Sequence, residues 1–201
     1  MNRSNLKAAA FAAAAAALPC LWQAGATPAL AQEPAAKPAA QAAKVERGRY
    51  IVSTSGCHDC HTPWIVGPKG PEPDMTRALS GHPESMTLPP PPKADGPWVV
   101  TAAATNTAWA GPWGISFTAN LTPDPETGLG KWTERNFRET IRSGRHMGRG
   151  RPVLPPMPVQ VYRNWTDADF EAVYAYLQSI PAIRNRVPEP LPPAAPVAAS
   201  R

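Results

Sequence analysis

The sequence predicts a mainly α-helical domain: three or more helices around one Cys-x-x-Cys-His cluster, interrupted by a long Pro-, Gly- and Trp-rich loop insertion. Three observations predict it. Apolar residues recur at helical spacing in three stretches, 44–53, 134–143 and 167–178. Residues 62–119 carry little helical period and are broken repeatedly by proline and glycine. Cys57-His58-Asp59-Cys60-His61 directly follows the first periodic stretch.

The first 31 residues read as a segment removed on export. Arg3 and Lys7 form a basic start, 8–18 is almost purely apolar, and Ala29-Leu30-Ala31 is an A-x-A cleavage pattern. The apolar run is shorter than the ~20 residues a spanning helix needs. A signal peptide over 1–31 implies a periplasmic protein, and its removal takes Cys20 with it. Cys57 and Cys60 are then the remaining cysteines. Residues 32–43 are Ala-, Pro-, Gln- and Lys-rich and read as a flexible or extended leader. The domain itself is expected over 44–181, with 62–119 as the insertion and 182–201 as a Pro/Ala-rich tail.

The first helix, 44–53, places Val45, Gly48 and Val52 on one face, with Ile51 beside them. In the insertion, Pro89-Pro90-Pro91-Pro92 must be extended. Trp64, Trp98, Trp109 and Trp113 indicate that parts of it pack. The second helix, 134–143, is capped by Thr133 and ended by Gly144, with Phe137 and Ile141 on one face. Residues 144–164 return to loop because of Pro152, Pro155, Pro156 and Pro158. The third helix, 167–178, opens with a Thr166/Asp169 cap and buries Phe170, Val173, Tyr174 and Leu177.

Charge excludes little but points away from nucleic acid. All 15 acidic residues and 18 of the 20 basic ones lie after residue 31, a net charge of about +3. The basic residues cluster between Lys131 and Arg151, with no interleaved aromatic platform. Such a run is most simply a solvated face.

The cysteine pair decides the chemistry. Two thiols at i and i+3 can form a redox disulfide, half a zinc site or a clamp for haem. Zinc wants four ligands, and His58, His82 and His146 do not make a zinc-finger spacing with the pair. A thioredoxin-like pair wants a β-α-β setting. The histidine directly after Cys60 favours haem: two thioether bonds to the vinyl groups, with His61 offering its imidazole to iron. One such motif means one covalent haem c. The sixth position could go to Met75, Met86, Met147, Met157, His82 or His146. Met157 leads, because Leu154-Pro155-Pro156-Met157-Pro158 is stiff and presents the thioether with little entropy to lose. His146 is the main rival, then His82.

With these residues in view, the chain resembles the class I c-type cytochrome family. The similarity is to its bacterial periplasmic branch of single-haem carriers and cytochrome subunits of alcohol and aldehyde dehydrogenases. It covers about 45–181. It rests on the glycine-containing first helix before Cys57-His58-Asp59-Cys60-His61 and on Asn120-Leu121-Thr122-Pro123-Asp124. Gly128-Leu129-Gly130-Lys131-Trp132-Thr133, the Met157 loop and the closing helix complete the set. The resemblance implies that Cys57 and Cys60 carry the thioethers, His61 is the proximal ligand and Met157 the distal one. It implies that Gly48 and Tyr174 meet where the first and last helices cross, and that Trp132 packs at the haem edge. The 96 positions between His61 and Met157 exceed those of a compact family member.

The implied function is one-electron transfer by a non-enzymatic periplasmic carrier. An alternative is a cytochrome subunit of a periplasmic dehydrogenase complex. A third, from another class, is a haem enzyme or gas sensor with an open distal site. Expected partners are a dehydrogenase as donor and an oxidase or another cytochrome as acceptor, with any membrane association coming through a partner. No paired-carboxylate or nucleophile constellation marks a substrate site.

Overall fold

A computed structural model describes residues 33–92 and 97–193. Residues 1–31, expected to be a signal peptide, and the last eight residues of the chain lie outside them. Five α-helices occur among the described residues: α1 (Glu33–Thr54), α2 (Cys57–His61), α3 (Glu134–Ser143), α4 (Val159–Tyr162) and α5 (Asp167–Ser179). Five short strands accompany them: β1 (Trp64–Gly67), β2 (Gly70–Pro73), β3 (Thr101–Ala102), β4 (Ala108–Gly111) and β5 (Gly114–Phe117). The architecture is therefore a mixture of helices and small sheets, which corrects the expectation of a mainly α-helical domain with an irregular insertion. No helix among the described residues is long and apolar enough to cross a membrane.

The ends of α3 and α5 follow from their sequence. At α3 the Thr133 hydroxyl accepts from Asn136 N–H, and the Asn136 side chain answers the Thr133 N–H. Gly144, at φ 69°, ends the helix in the left-handed region that glycine adopts without strain. Thr166 and Asp169 form the same reciprocal box at α5. α1 begins at Glu33, which corrects the reading of 32–43 as a flexible or extended leader. Alanine, the strongest helix former, fills much of that stretch and carries the helix through Pro38.

α1 and α5 cross at Gly48. A Cβ there would lie 1.9 Å from the Ala172 carbonyl oxygen and 2.8 Å from the Tyr176 Cβ. The crossing thus uses Ala172 and Tyr176 and not the expected Tyr174. Tyr174 lies on another face, where its hydroxyl donates to the Trp132 carbonyl at 2.5 Å. The core gathers Ile51, Val52, Leu79, Leu129, Phe137, Ile141, Tyr162, Phe170, Val173 and Leu177. Its aromatic rings interlock: Phe137 and Phe170 lie edge-on at 6.2 Å, Trp165 and Phe170 at 5.6 Å, and Tyr162 stacks on Trp165 at 4.7 Å. Leu79 comes from the insertion, so this segment helps build the core.

The insertion folds as two small antiparallel sheets. β1 pairs with β2 from Trp64↔Pro73 to Gly67↔Gly70. β3, β4 and β5 form the second, with Gly111↔Gly114 closing a two-residue turn. Strands of two to four residues leave too short an alternation to read from sequence. Of the four tryptophans expected to pack, Trp64, Trp109 and Trp113 are half-buried, whereas Trp98 is 77% exposed.

Residues 180–193 run extended across the domain. Leu191 exchanges two backbone hydrogen bonds of 2.9 Å with Ile115 of β5. Asn120 donates to the Ile183 carbonyl at 2.8 Å, and Asn185 N–H donates to Thr127 Oγ1 at 2.9 Å. Asn120, in the Asn120-Leu121-Thr122-Pro123-Asp124 motif, also accepts from Thr122 N–H and hydroxyl. That motif is turn chemistry that ties residues 120–128 to the 180–193 segment.

Substitutions at the helix crossing and at the α5 cap test this packing. Gly48→Ala has no flexible group to displace and should lower stability by about 3 kcal/mol, read by thermal or denaturant unfolding; the exposed neighbour change Arg49→Ala should stay near wild type. At the α5 cap, the Thr166 hydroxyl, and after it the Arg47 guanidinium, hold the Asp169 carboxyl below its ordinary value. The ionised form is the stabilising one, so this contribution is present above the unfolded-state pKa and is lost as pH falls through the depressed folded value. Asp169→Asn should cost about 1 kcal/mol at neutral pH, and the gap to wild type should narrow progressively in unfolding curves as pH falls below about 4.

Candidate functional site

α2 is a single short helix whose entry is Gly56 in the left-handed region at φ 71°. It carries Cys57, Cys60 and His61 within about one turn. The turn is held from outside. Asn106 Nδ2 and Trp64 Nε1, both from the insertion, donate to the Asp59 carbonyl at 2.7 and 3.0 Å. Thr62, fully buried, accepts from Leu79 N–H at 2.9 Å and pairs with His58 Nδ1 at 3.0 Å. Tyr162 of α4 donates its hydroxyl to the Ser55 carbonyl.

Cys57 and Cys60 are both free thiols and half-buried. Cys57 packs on the hydrophobic core. Burial pushes its thiol up to about 12. Burial, then the nearby Asp59, also raises Cys60. A redox-active pair needs the opposite, a thiolate stabilised by its surroundings. Among the described residues no three His, Cys, Asp or Glu side chains come together as a metal site. A protein-only zinc site is therefore not assembled among them.

His61 is buried, and burial lowers its pKa, so the imidazole is neutral at pH 7. Its Nδ1 lies 2.8 Å from the Ala119 carbonyl oxygen. A carbonyl can only accept, so Nδ1 carries the proton and Nε2 carries the lone pair. An imidazole fixed in this tautomer, with a carbonyl behind it, is the form that binds a metal through Nε2. The residues thus suit a haem iron: two free thiols one turn apart beside an oriented neutral imidazole.

Met157 is half-buried and packs on the same core as Cys57. Its loop is pinned at two points. Val159 N–H donates to the Met157 carbonyl at 2.9 Å, starting α4. Ser116 Oγ of β5 donates to the Pro155 carbonyl at 2.6 Å. Ser116 and Ala119 stand three residues apart in the insertion, so one short stretch of chain contacts both the His61 side and the Met157 side.

The rivals sit elsewhere. His146 is exposed and meets Trp132 edge-on at 5.1 Å, while Met147 beside it is 38% exposed at φ 52°. His82 is fully buried within the insertion, with Nδ1 3.0 Å from Thr107 Oγ1 and its ring 4.8 Å from Phe117. Met75 and Met86 lie at the surface, 60% and 36% exposed. Trp132 is half-buried against the core and His146. Sequence reasoning missed Ala119 and Ser116. Ala119 acts through its backbone, which leaves no mark in the sequence, and Ser116 is one serine among the loop residues.

No protein-family model matches the chain. Several curated proteins do. A subunit of the nicotinate dehydrogenase of Pseudomonas putida is 32% identical over 147 residues, 73% of this chain and 9% of that protein. The cytochrome c subunit of the quinone alcohol dehydrogenase of Gluconobacter oxydans is 28% identical over 153 residues, 75% of this chain and 25% of its own. The cytochrome c subunit of gluconate 2-dehydrogenase of Pantoea cypripedii is 28% identical over 134 residues, 67% and 22%. The chain spans a quarter or less of the length of these relatives. Over most of its own length, and a minor part of theirs, this chain resembles the cytochrome c subunits of dehydrogenases.

Proposed function

We propose that the chain is a one-electron carrier that holds one haem c, with the fold of a class I cytochrome elaborated by the 62–119 insertion. The observation that carries this is the neutral imidazole of His61, its Nδ1–H on the Ala119 carbonyl, one turn from two free thiols. Cys57 and Cys60 would hold the ring by thioether bonds, His61 Nε2 would bind iron, and the Met157 thioether would close the other axial position. Haem bound in this way supplies one-electron exchange between ferrous and ferric iron. The residues contribute orientation and burial. Pro155, Pro156 and Pro158 limit the conformations of the Met157 loop, Ser116 anchors it, and the Ala119 carbonyl keeps the imidazole in one tautomer. Thioether ligation favours the ferrous form and raises the potential.

The cytochrome subunits among the relatives support a second, compatible setting, in which this carrier works as a subunit of a dehydrogenase. The dehydrogenase would be the electron donor, and an oxidase or another cytochrome the acceptor. The basic start, apolar run and A-x-A pattern over 1–31 support a periplasmic setting for this activity. Any hold on the membrane would come through a partner.

Haem staining of the exported protein on a denaturing gel tests the attachment. A stained band that disappears in Cys57→Ala/Cys60→Ala is expected, and an unstained wild-type band overturns the proposal. The distal side is read from the oxidised spectrum. Met157→Ala should keep the stain, lose the weak red-end band of iron–thioether ligation and lower the midpoint potential. A spectrum unchanged in Met157→Ala but altered in His146→Ala would transfer the assignment to His146. Co-purification with a dehydrogenase separates the subunit from a free carrier.

A further inference from the structure

The proximal histidine is held by a unit that reaches well beyond α2. Gly81 N–H donates to the His61 carbonyl at 2.8 Å, and the next residue, His82, donates its N–H to the Thr118 carbonyl at 2.9 Å. Gly81 is buried at φ +77°, pressed against the 118–119 peptide. A Cβ on Gly81 would lie 2.4 Å from the Thr118 oxygen, 2.6 Å from the Ala119 carbonyl carbon and 2.7 Å from the Ala119 oxygen. That Ala119 oxygen is the one that accepts from His61 Nδ1–H at 2.8 Å. Gly81 therefore touches His61 through its backbone and the acceptor of the His61 side chain at the same time.

The 80–84 turn is clamped in turn by a residue far along the chain. Asn185, 2% exposed, donates from Nδ2 to the Ser80 carbonyl at 2.7 Å and to the His82 carbonyl at 2.8 Å. Its Oδ1 accepts from Glu84 N–H at 2.9 Å. The two carbonyls flanking Gly81 are thus both tied to one buried amide, on the Pro-rich 180–193 segment.

We propose that Asn185 and Gly81 are positioning residues for His61, setting the hydrogen bond between its imidazole and the Ala119 carbonyl and thereby the electron affinity of the iron. The proposal rests on the haem assignment above. A carbonyl that accepts a strong Nδ1–H bond makes the imidazole a better donor and stabilises ferric iron. Removing the clamp lets the 118–119 peptide drift, weakens that bond and raises the midpoint potential. No covalent step or change of ligand is involved.

The test compares three haem-loaded variants with wild type by midpoint potential and by the proton resonance of His61 Nδ1–H in the reduced protein. Gly81→Ala forces the Ala119 carbonyl to move and should shift the ferrous/ferric equilibrium about tenfold toward ferrous, ~59 mV for one electron. Asn185→Ala adds no atoms and should give a smaller rise in the same direction. Both should move the Nδ1–H resonance and speed its exchange. Glu84→Gln is the control. Glu84 pairs with Arg184 and accepts from Arg186 N–H, so its loss loosens the same segment without releasing the Ser80 and His82 carbonyls. It should leave potential and resonance unchanged. If Gly81→Ala does not accumulate, Asn185→Ala decides. Haem-loaded Asn185→Ala at the wild-type potential with an unmoved resonance overturns the proposal, as does an equal shift in Glu84→Gln. Absence of covalent haem from the wild type would instead sink the carrier assignment.

Discussion

The hydrogen bond from His61 Nδ1 to the Ala119 carbonyl closes an excursion of 58 residues. The chain leaves α2 at His61, builds two small sheets and returns at Ala119, directly behind the imidazole from which it departed. Closing a flexible loop of that length costs several kcal/mol of chain entropy, and one hydrogen bond contributes only about 1 kcal/mol net. The bond is therefore a result of the insertion's own structure. Leu79, fully buried in the main core, provides the apolar anchor. Thr62 and Asn120 satisfy buried backbone groups at the point of return. The histidine's chemistry depends on all of them, because a neutral imidazole with one defined tautomer needs a fixed acceptor.

How much of this was legible in the sequence depends on the kind of signal each element leaves. α3 and α5 were legible nearly to the residue. Their capping boxes, Thr133 with Asn136 and Thr166 with Asp169, are side-chain signals, and Gly144 marks an end that few other residues allow. The start of α1 was not, since Pro38 argues against a helix and the surrounding alanines argue for it. The sheets of the insertion were not, because their strands are too short for a period of two to register. At the site, Cys57, Cys60 and His61 are marked by chemistry and spacing. Ala119 is unmarked, since any residue has a carbonyl. Gly48 was rightly placed at a helix crossing, but its partner was misassigned by two positions. Tyr174 and Tyr176 both carry rings but lie on different faces of α5, and the rotation of the helix about its own axis decides which one meets α1.

The basic stretch around α3 is mostly neutralised within the chain. Arg138 pairs with Glu134, Arg142 with Asp167, Arg135 with Glu139 and Arg151 with Glu189. Arg145 donates a guanidinium N–H to the Gly150 carbonyl at 3.0 Å. These are surface contacts, each worth at most about 1 kcal/mol and weakened by salt. The simple expectation for this run, a solvated face, agrees with them. A docking role built on unpaired arginine charge would find less free charge here than the sequence count suggests.

The insertion and the proline loop solve one problem from two sides. In the proposed haem site His61 and Met157 must both be kept in place, yet they come from segments 96 positions apart with different local structure. Proline stiffens the Met157 segment along its own length but does not fix where that segment sits. Ser116 does, through its bond to the Pro155 carbonyl, while Ala119 three residues later orients His61. A strand that reaches both segments can hold them with few contacts, because β5 is itself tied to β4 on one edge and to Leu191 on the other. The length between His61 and Met157 is then the chain needed to build that strand and bring it back, and the 180–193 segment is the strap that keeps its outer edge covered.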